Sequence, residues 1–594
     1  MHLAELNITN FRKLRNAKLR FQAGLNVLVG ANNVGKSAVV DALRALLAGH
    51  EEPYPRFDVE DRHRPREGEP EGDITFHYVF RDLGHDDEAD FIAALKPGTD
   101  GQMEAHIHVR YSDADKTGRF RVKRWCGDHE DVPLSSDMME NLRGVYLQPL
   151  RDASQSLRPS RNSQLSRLLH LLTDEVGREG INDALRGLDE QLKQHAPILN
   201  TQTAIATRHG DMLGDQLAQA LAVGLSASDF QRLSSRLSLS VDAFEIEQNG
   251  LGFNNLIFMA VVLSELAKNP DATYRGLIVE EPEAHLHPQL QAVLLRYLAS
   301  LQAVAGEKPV QLFVTSHSPN FASNANLDCL ACLVESDGRV ETFFPRDVKF
   351  QKGKREKLER YLDVTRAELF FARRVIFVEG AAELMLVDAL ATFAGFDLRG
   401  HGVSLISVEG LNFDSFLPLF GENALNIPFA LITDADPQAQ AGEDDEEESE
   451  EGEEEGEGKK AEAVYPALGE EVVVSSNTAK MKALEDRYVK VFHGVKTLEY
   501  DLALHENNRE AMLIALSDPH PKIAKALRKV VDAEQDNTSK ARALFRGMFE
   551  RDQNNVQKGR FGQALAQVIS DGADCEVPAY ILRAIKHVCQ VEER

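Results

Sequence analysis

The stretch GANNVGKS, residues 30–37, decides the fold of the N-terminal half of this chain. The apolar run LNVLV before it, residues 25–29, predicts a strand, and residues 37–47 after it have the apolar spacing of a helix. Glycines in such a loop let backbone N–H groups surround phosphate oxygens, and the helix N-terminus favours negative charge. The sequence therefore predicts a nucleoside triphosphate site, with Lys36 on the terminal phosphates and Ser37 on Mg²⁺. The residues expected to bind nucleotide here are Gly30, Asn33, Gly35, Lys36 and Ser37.

The bulk composition predicts a multidomain globular protein. The chain has 594 residues, of which 43% are hydrophobic and 27% charged, and it contains only five cysteines. The N-terminus has no continuous apolar segment typical of a secretory signal, and no apolar run approaches the roughly 18 residues of a membrane span. We therefore expect a cytoplasmic protein that does not bind a membrane. Cys329 and Cys332 form a single C-x-x-C in an apolar run, which favours buried structural thiols over a metal site.

The net charge of −27 argues against general attraction to nucleic acid. Much of that charge is local, because residues 443–457 contain twelve acidic residues and no basic one. We expect residues 443–460 to form a disordered acidic surface loop, either a solvated spacer or a nucleic-acid mimic or gate.

Two further strand ends carry polar residues suited to nucleotide chemistry. The run GLIVEEPEAHLHP, residues 276–288, predicts a strand that ends in two adjacent carboxylates, with Glu280 on the metal ion and Glu281 as general base. The run LFVTSHSP, residues 312–319, predicts another buried strand, after which His317 is placed to contact the γ-phosphate.

Two weaker signals complete the set: Gln148 in VYLQPLRDA, and the glycines Gly250 and Gly252 in QNGLGFNN. Together, and in this order, these segments resemble the ATP-binding-cassette (ABC) heads of the SMC, RecF and related DNA-repair ATPases. The resemblance implies that Gln148 senses Mg²⁺. It also implies that residues 250–255 form the signature motif, although the usual serine is missing, and that two heads dimerise around the nucleotide.

Residues 153–240 between these motifs have helical apolar spacing without a sustained heptad pattern, which predicts a short helical insert or dimerisation arm. Upstream, the alternating run GRFRVKRW, residues 118–125, predicts a strand with Arg119, Arg121 and Lys123 on one face. That face is either a DNA-backbone contact, with Trp125 nearby, or a solvated surface.

The pattern restarts after residue 372 with a second group of strand-end acids. The run RRVIFVEG, residues 373–380, predicts a strand that ends at Glu379, and Glu383 opens the following helix. Residues 427–436 predict a strand that ends in Asp434 and Asp436. Carboxyl ends of parallel strands line one edge of a sheet, and carboxylates without His or Cys suit Mg²⁺ or Mn²⁺.

This arrangement of acids is the pattern of a Toprim domain, and residues 496–502 read as a third strand-like segment. Glu499 and Asp501 there are expected to bind a second metal ion, and Lys558 in QKGRFG, beside Arg560, is expected to stabilise the phosphate transition state.

An ABC head followed by a Toprim domain resembles the OLD (overcoming lysogenization defect) family of nucleases, which includes the nuclease subunit of Gabija phage defence. The resemblance rests on GANNVGKS, YLQPLRD, IVEEPEAHLHP, TSHSP, VIFVEGAAE, TDAD, TLEYDL and QKGRFG in that order. It implies an α/β fold with an ABC-type P-loop ATPase head, a helical insert and a C-terminal Toprim domain. The expected boundaries are 1–152 and 241–372 for the head, 153–240 for the insert and 373–594 for the Toprim domain.

The family resemblance implies a DNA endonuclease that uses ATP with Mg²⁺ and two Mg²⁺ or Mn²⁺ ions at the Toprim acids. It further implies a homodimer, a role in phage defence or DNA repair, and a helicase partner in some relatives. The alternative is a RecF-like or SMC-like DNA-binding scaffold with an inert Toprim domain. A Toprim primase or topoisomerase is disfavoured, because neither a zinc ribbon nor a nucleophilic tyrosine is recognisable.

Overall fold

The computed structural model describes the chain except residues 49–52, 66–68, 100, 150–152, 162, 215–216, 226–228, 243, 271, 306, 337, 411–412, 423, 438–462, 552 and 591–594. The acidic tract predicted at 443–460 lies outside the described residues. The described chain divides into two compact units, each built from several segments. The first comprises Met1–Arg12, Lys18–Val27 and Ser37–Ser316, and the second comprises Lys13–Ala17, Leu28–Lys36 and His317–Arg594.

The strands of the described chain are β1 (His2–Phe11), β2 (Leu14–Arg20), β3 (Leu25–Val29), β4 (Ile74–Arg81), β5 (Leu95–Pro97), β6 (Met103–Ser112), β7 (Arg121–Cys126), β8 (Leu142–Leu147), β9 (Ser240–Val241), β10 (Phe244–Glu245), β11 (Tyr274–Glu280), β12 (Gln311–Thr315), β13 (Leu330–Ser336), β14 (Arg339–Phe343), β15 (Arg374–Val378), β16 (Val403–Ser407), β17 (Phe429–Thr433) and β18 (Val489–His493).

The α-helices are α1 (Lys36–Leu47), α2 (His85–Asp90), α3 (Ser136–Asn141), α4 (Ala153–Ser156), α5 (Gln164–Leu172), α6 (Glu175–Lys193), α7 (Ala196–Leu213), α8 (Phe230–Ser234), α9 (Leu251–Lys268), α10 (Pro288–Ala299), α11 (Pro319–Asn324), α12 (Lys354–Tyr361), α13 (Ala381–Phe393), α14 (Phe413–Phe416), α15 (Ser476–Lys482), α16 (Leu498–Ala503), α17 (Glu506–Ser517), α18 (Pro521–Ala533), α19 (Asn537–Phe549), α20 (Lys558–Ser570) and α21 (Ala579–Cys589).

The first unit contains an antiparallel sheet in which β4 pairs with β1 and β6, and β6 also pairs with β5 and β7. One face packs aromatic rings, with Phe11 and Phe76 edge to face at 5.1 Å between centroids. The register on the other face aligns His77, His108 and Trp125, whose rings stack at centroid distances of 4.2 Å and 4.9 Å. Burial, together with the neighbouring histidines, lowers the pKa of His77 to about 3 and that of His108 to about 4.

The first unit also contains the parallel strands β8, β11 and β12, with β11 between the other two. All seven residues of β11 and all five of β12 are buried, as expected for parallel strands covered on both faces. The register pairs Val279 with Leu147 and Glu280 with Thr315. The three carboxyl ends therefore meet at one edge of the sheet.

Helix α9 is the apolar core helix of the first unit. It passes a test of length and composition for a membrane-crossing helix, with a mean hydropathy of 1.3, although 56% of it is buried inside the protein. A buried core helix meets the same criterion, so this is weak evidence for a span. The segment expected to be helical, residues 153–240, contains α4 to α8 and the short hairpin strand β9.

The second unit contains a parallel four-stranded sheet in the order β16-β15-β17-β18. Every residue of β17 is buried, and the apolar core continues through α13, α16, α17, α19, α20 and α21. Helix α20 packs closely on α13, because a Cβ atom at Gly562 would lie 2.9 Å from Ala382. This close approach places the first turn of α20 near the first turn of α13.

The structure corrects two local predictions. Residues 496–502, predicted as a strand-like segment, instead lead into and form most of the helix α16 (Leu498–Ala503), in which all six residues are buried. Alternation of apolar and polar residues indicates a strand with one buried and one exposed face. It does not distinguish a strand from a helix where every side chain is buried. Strand β7 begins at Arg121, so Arg119 precedes the strand on which it was predicted.

Candidate nucleotide and metal sites

The loop of residues 30–37 has the backbone of a phosphate-binding loop. Gly30 and Gly35 have φ angles of 147° and 108°, and Asn33 is left-handed with φ of 61°. A side chain at Gly30 would place its Cβ 2.4 Å from the carbonyl oxygen of Leu333, so only glycine fits there. Lys36 is buried, and its Nζ donates to the carbonyl oxygens of Gly30 at 2.5 Å and Ala31 at 3.0 Å. The ammonium group is thus held across the concave side of the loop.

Glu280, at the end of β11, is held by two hydroxyl groups. The Tyr146 hydroxyl donates to Glu280 Oε2 at 2.6 Å, and the Ser37 hydroxyl bonds the same carboxylate. Tyr146 lies on the neighbouring strand β8, two positions before Gln148. The centroid of its ring is 4.1 Å from the Arg44 guanidinium carbon. Burial raises the pKa of Glu280, and Asp41 and Glu281 add to this, while the bonds from Tyr146 and Ser37 oppose it. The serine and acid expected to share Mg²⁺ are therefore in contact.

The other residues predicted to act on the nucleotide follow the carboxyl ends of the parallel strands β8, β11 and β12. Gln148 comes directly after β8 and is exposed, and His317 follows two residues after β12 and is also exposed. Glu281 has a left-handed φ of 47°, and its N–H donates to the carbonyl oxygen of Thr315 at 3.0 Å. The chain thus turns sharply after Glu280, which separates the directions of the two adjacent acids.

The two glycines of the predicted signature motif differ in their surroundings. Gly250 caps the N-terminus of α9, and a Cβ atom added there would meet no heavy atom within 4 Å. A Cβ atom at Gly252 would instead lie 2.6 Å from the carbonyl oxygen of His285. Packing against the His285 backbone therefore accounts for Gly252, whereas Gly250 leaves the helix N-terminus open.

The second unit brings acids together where β15 and β17 end. Glu379 follows β15, and its Oε1 accepts from the Thr433 hydroxyl at 2.7 Å and from the Asp434 N–H at 2.9 Å. Asp434 Oδ1 in turn accepts the N–H of Leu498 at the start of α16. The predicted convergence of these two strand ends is present, and backbone groups fix it.

Two helices add an acid and a cation to this edge. Glu499, on α16, is almost wholly buried, and its Oε2 accepts from Lys558 Nζ, on α20, at 2.9 Å. Burial raises the pKa of Glu383, and the charges of Glu499 and Glu379 raise it further while Lys558 lowers it. Burial alone would lower the pKa of Lys558, but Glu499, Asp434 and Glu383 outweigh it and raise that pKa. Lys558 is therefore the cation of the cluster.

Asp436 and Asp501 lie apart from the ion pair between Glu499 and Lys558. Asp436 is exposed and has a left-handed φ of 41°. Asp501 is buried and accepts the N–H groups of Val495 at 3.1 Å and Lys496 at 3.2 Å. Burial raises the pKa of Asp501 to about 7. Both remain predicted metal ligands, and in this structure Asp501 holds the loop before α16.

Family models match both the part of the chain that carries the nucleotide site and the part that carries the acids at the ends of β15 and β17. Residues 1–123 and 130–322 match the family model of the AAA ATPase domain, and residues 370–436 match the TOPRIM domain of overcoming lysogenization defect protein-like sequences. This chain belongs to the AAA ATPase domain family and carries an OLD-like TOPRIM domain. The predicted ATPase and OLD-like TOPRIM domains and the mixed α/β fold class are confirmed.

Named relatives extend across both domains. The OLD nuclease of Thermus scotoductus is 25% identical over 452 residues, which cover 73% of this chain and 82% of the relative. The endonuclease GajA of Bacillus cereus is 19% identical over 462 residues, 75% of this chain and 76% of the relative. The solved C-terminal region of the Burkholderia pseudomallei OLD protein covers 37% of this chain and 98% of its own, at 26% identity and a TM-score of 0.24.

An ATPase domain and a TOPRIM domain generally imply ATP and a divalent metal ion, and the TOPRIM acids have the chemistry for such an ion. Glu499 Oε1 is buried and has no hydrogen-bond partner among the described residues. The donors are carboxylates only, which suits Mg²⁺ or Mn²⁺. In the described part of the chain, however, no three His, Cys, Asp or Glu side chains converge closely enough to hold an ion. The donors therefore fit the metal by their chemistry.

The basic strand before the ATPase core is less suited to DNA than its sequence suggested. Lys123 Nζ pairs with Glu130 at 3.0 Å, and Glu130 also pairs with Arg110 at 2.5 Å. Trp125 is buried under His108 and Arg110 and offers no free face for a base. Arg119 and Arg121 line a cavity of about 850 Å³ together with Asp58, Asp113 and Asp115. Acids therefore accompany the basic residues of this face.

Sequence reasoning missed Tyr146, although it is adjacent to a predicted motif. In VYLQ the tyrosine reads as one more apolar strand residue. Its same-face position, two residues before Gln148, was the available signal, because side chains two apart on a strand share a face. A hydroxyl on that face can reach an acid at the end of the neighbouring strand.

Proposed function

We propose that this protein is an ATP-binding, divalent-metal-dependent DNA endonuclease of phage defence or DNA repair. The observation that carries the proposal is that Glu383, Asp434 and Glu499 all act on Lys558, while Glu379 is bonded to the backbone of Asp434, in a chain that also carries a phosphate-binding loop. A cluster of acids with one cation is suited to hold metal ions against a phosphodiester. The likeness to the OLD nuclease and the endonuclease GajA supports DNA as the substrate.

Several residues of the TOPRIM site have a definable part in cleavage. Two bound Mg²⁺ or Mn²⁺ ions would supply the activation of water and the stabilisation of the leaving 3′-oxygen. Thr433 and the Asp434 N–H orient Glu379, and the Leu498 N–H orients Asp434. Lys558 offsets the charge that develops on the phosphate, for which its contact with Glu499 positions it.

The ATPase domain regulates DNA access in this proposal. Lys36 and Ser37 bind the nucleotide, Glu280 and Gln148 serve its Mg²⁺, and Glu281 and His317 act at the γ-phosphate. Two chains dimerise through their ATPase heads and the helical insert, and the signature segment at Gly250 closes on the partner's nucleotide. Nucleotide state then shifts the population of DNA-accessible dimers. A helicase-like partner belongs to the same proposal.

The test is nicking of supercoiled plasmid by the full chain in Mg²⁺ or Mn²⁺, with and without ATP. Asp434→Asn keeps the size of the side chain and removes its charge, so it should abolish metal-dependent nicking. Asp518→Asn is the matched control, because Asp518 is an exposed acid at the end of α17. Absence of cleavage by the unmodified protein under every condition, with DNA binding intact, would instead support a DNA-binding scaffold with an inert TOPRIM domain.

A further inference from the structure

Two cations contact one tyrosine ring in the second unit, outside the acidic cluster of Glu383, Asp434 and Glu499. Lys496 Nζ lies 4.6 Å from the centroid of the Tyr465 ring, and the guanidinium carbon of Arg542 lies 4.8 Å from it. Lys496 Nζ also donates to the carbonyl oxygen of Val464 at 3.1 Å and lies 5.8 Å from the Phe545 ring. One aromatic ring thus holds two positive charges in place through cation–π contacts.

The domain core fixes the position of this group. Tyr465 packs on Tyr500, with centroids 5.8 Å apart, and the Tyr500 hydroxyl donates to the carbonyl oxygen of Pro466 at 2.9 Å. Tyr500 neighbours Glu499 in α16, and its own ring packs on Phe545 of α19. The cation pair is therefore attached to the helix that supplies an acid of the metal site.

The backbone of Lys496 also touches the strand end that carries the acids. Its carbonyl oxygen accepts the N–H of Ala435 at 2.8 Å, and Ala435 lies between Asp434 and Asp436. Its N–H donates to Asp501. The backbone of Lys496 is therefore bonded directly to the strand end that carries Asp434 and Asp436.

Neither cation has a carboxylate at ion-pair distance among the described residues, although the chain as a whole carries a charge of −27. The nearby Glu550 accepts from the Tyr465 hydroxyl and pairs with Arg546 at 3.7 Å. Arg542 is exposed and Lys496 is half-buried, so an anion can reach both. Two accessible cations that have no ion-paired acid within the described part of the chain favour an external anion.

We propose that Lys496 and Arg542, held by Tyr465, form a phosphate subsite for the DNA backbone next to the cleavage centre. The subsite binds a phosphate adjacent to the scissile one and so adds affinity for the strand that crosses the acids. This inference rests on the proposed function, because it takes DNA as the substrate. It assigns the two residues to DNA binding and gives them no part in the chemical step.

The experiment measures binding of a fluorescein-labelled DNA duplex to the full chain by anisotropy, in EDTA, between 50 and 200 mM salt. Lys496→Gln and Arg542→Gln should each weaken binding by about fivefold to tenfold and reduce the slope of log affinity against log salt by about 0.9. Arg542→Lys keeps the charge and should recover most of the affinity. Lys522→Gln and Lys525→Gln, exposed cations on α18, are matched controls with losses under about twofold.

Plasmid nicking distinguishes a failure of the proposed phosphate subsite from a failure of the proposed nuclease function. A raised KM for DNA with an unchanged kcat in Lys496→Gln and Arg542→Gln is expected, since saturating DNA restores the occupancy of the site. If the unmodified protein cleaves DNA while both variants bind with its affinity and salt slope, the subsite is wrong and the nuclease stands. If the unmodified protein neither binds nor cleaves DNA, the proposed function fails and the subsite fails with it.

Discussion

The ATPase domain and the TOPRIM domain both gather acids at the carboxyl ends of buried parallel strands, yet they hold those acids differently. Glu280 is bonded by two neutral hydroxyl groups, from Tyr146 and Ser37. Glu499 is bonded by the charged Lys558, 59 positions away in sequence, and leaves one oxygen without a partner among the described residues. Neutral donors orient a carboxylate, whereas a single cation among several acids leaves excess negative charge. The Glu280 carboxylate is therefore held in a fixed orientation, whereas the TOPRIM acids retain negative charge that a bound cation would offset.

Among the changes that compare the two sites, the largest effect should follow removal of Lys558 from the TOPRIM cluster. Lys558→Gln leaves Glu383, Asp434 and Glu499 without the cation that acts on them among the described residues and removes the group that offsets transition-state charge. We expect plasmid nicking to fall about a thousandfold, within the range for loss of one electrostatic stabiliser. ATP binding should not change. Lys525→Gln on α18 is the control, and a Lys558→Gln variant that cleaves within threefold of the unmodified protein would contradict the role of Lys558.

The corresponding change in the ATPase domain should act on nucleotide only. Lys36→Ala removes the ammonium group that spans the loop between Gly30 and Ala31. Loss of a charged donor to phosphate predicts a drop of about a hundredfold in ATP affinity, measured with a fluorescent ATP analogue. Binding of duplex DNA in the absence of ATP should stay within about twofold. A large loss of DNA binding in that variant would show that the two sites are not separable.

The two units should respond to pH in opposite directions. The folded-state pKa of His77 lies at about 3, below its ordinary value, so the unfolded chain binds the proton first and the first unit loses stability as pH falls from 6.5. The folded-state pKa of Asp501 lies at about 7, above its ordinary value, so the folded chain binds the proton first and the second unit gains stability as pH falls through 7. Each group contributes about 2 kcal/mol between pH 7 and pH 5.

Hydrogen exchange measures this difference peptide by peptide, in EDTA and after correction for intrinsic exchange rates. Protection of peptides from β4 and β6 should fall at pH 5, while protection of peptides from β17 and α16 should rise. His77→Gln should flatten the first response and Asp501→Asn the second. Parallel responses in both units would overturn the assignment of these two groups.

The comparison also explains what the sequence could predict. The phosphate-binding loop is contiguous, so residues 30–37 show its glycines, lysine and serine together in one run. The strand ends at Glu379 and Asp434 were predictable, because apolar runs locate the edge of a parallel sheet. Helix α16 was not predictable, because six buried residues that alternate in polarity fit a strand as well as a helix. Contacts across long separations, such as those of Tyr465 with Lys496 and Arg542, have no local pattern at all.

The smallest effect should come from the neutral donor that distinguishes the ATPase site. Tyr146→Phe removes one hydrogen bond to Glu280 and keeps the ring against Arg44. That bond opposes the effect of burial, which raises the pKa of Glu280, so its loss raises the pKa further and leaves Ser37 to orient the carboxylate. The Mg²⁺ concentration that half-saturates binding of the ATP analogue should increase about fivefold, which corresponds to about 1 kcal/mol.

The pH dependence of that increase separates orientation from charge. If the hydroxyl acts by keeping Glu280 ionised, the difference between Tyr146→Phe and the unmodified protein shrinks as pH rises, because the carboxylate becomes charged in both proteins. If the hydroxyl only orients the side chain, the difference stays constant with pH. Tyr297→Phe, an exposed tyrosine on α10, should leave the Mg²⁺ requirement unchanged. An unchanged Mg²⁺ requirement in Tyr146→Phe would mean that Ser37 alone positions Glu280, and the two acid sites would then differ less than their contacts indicate.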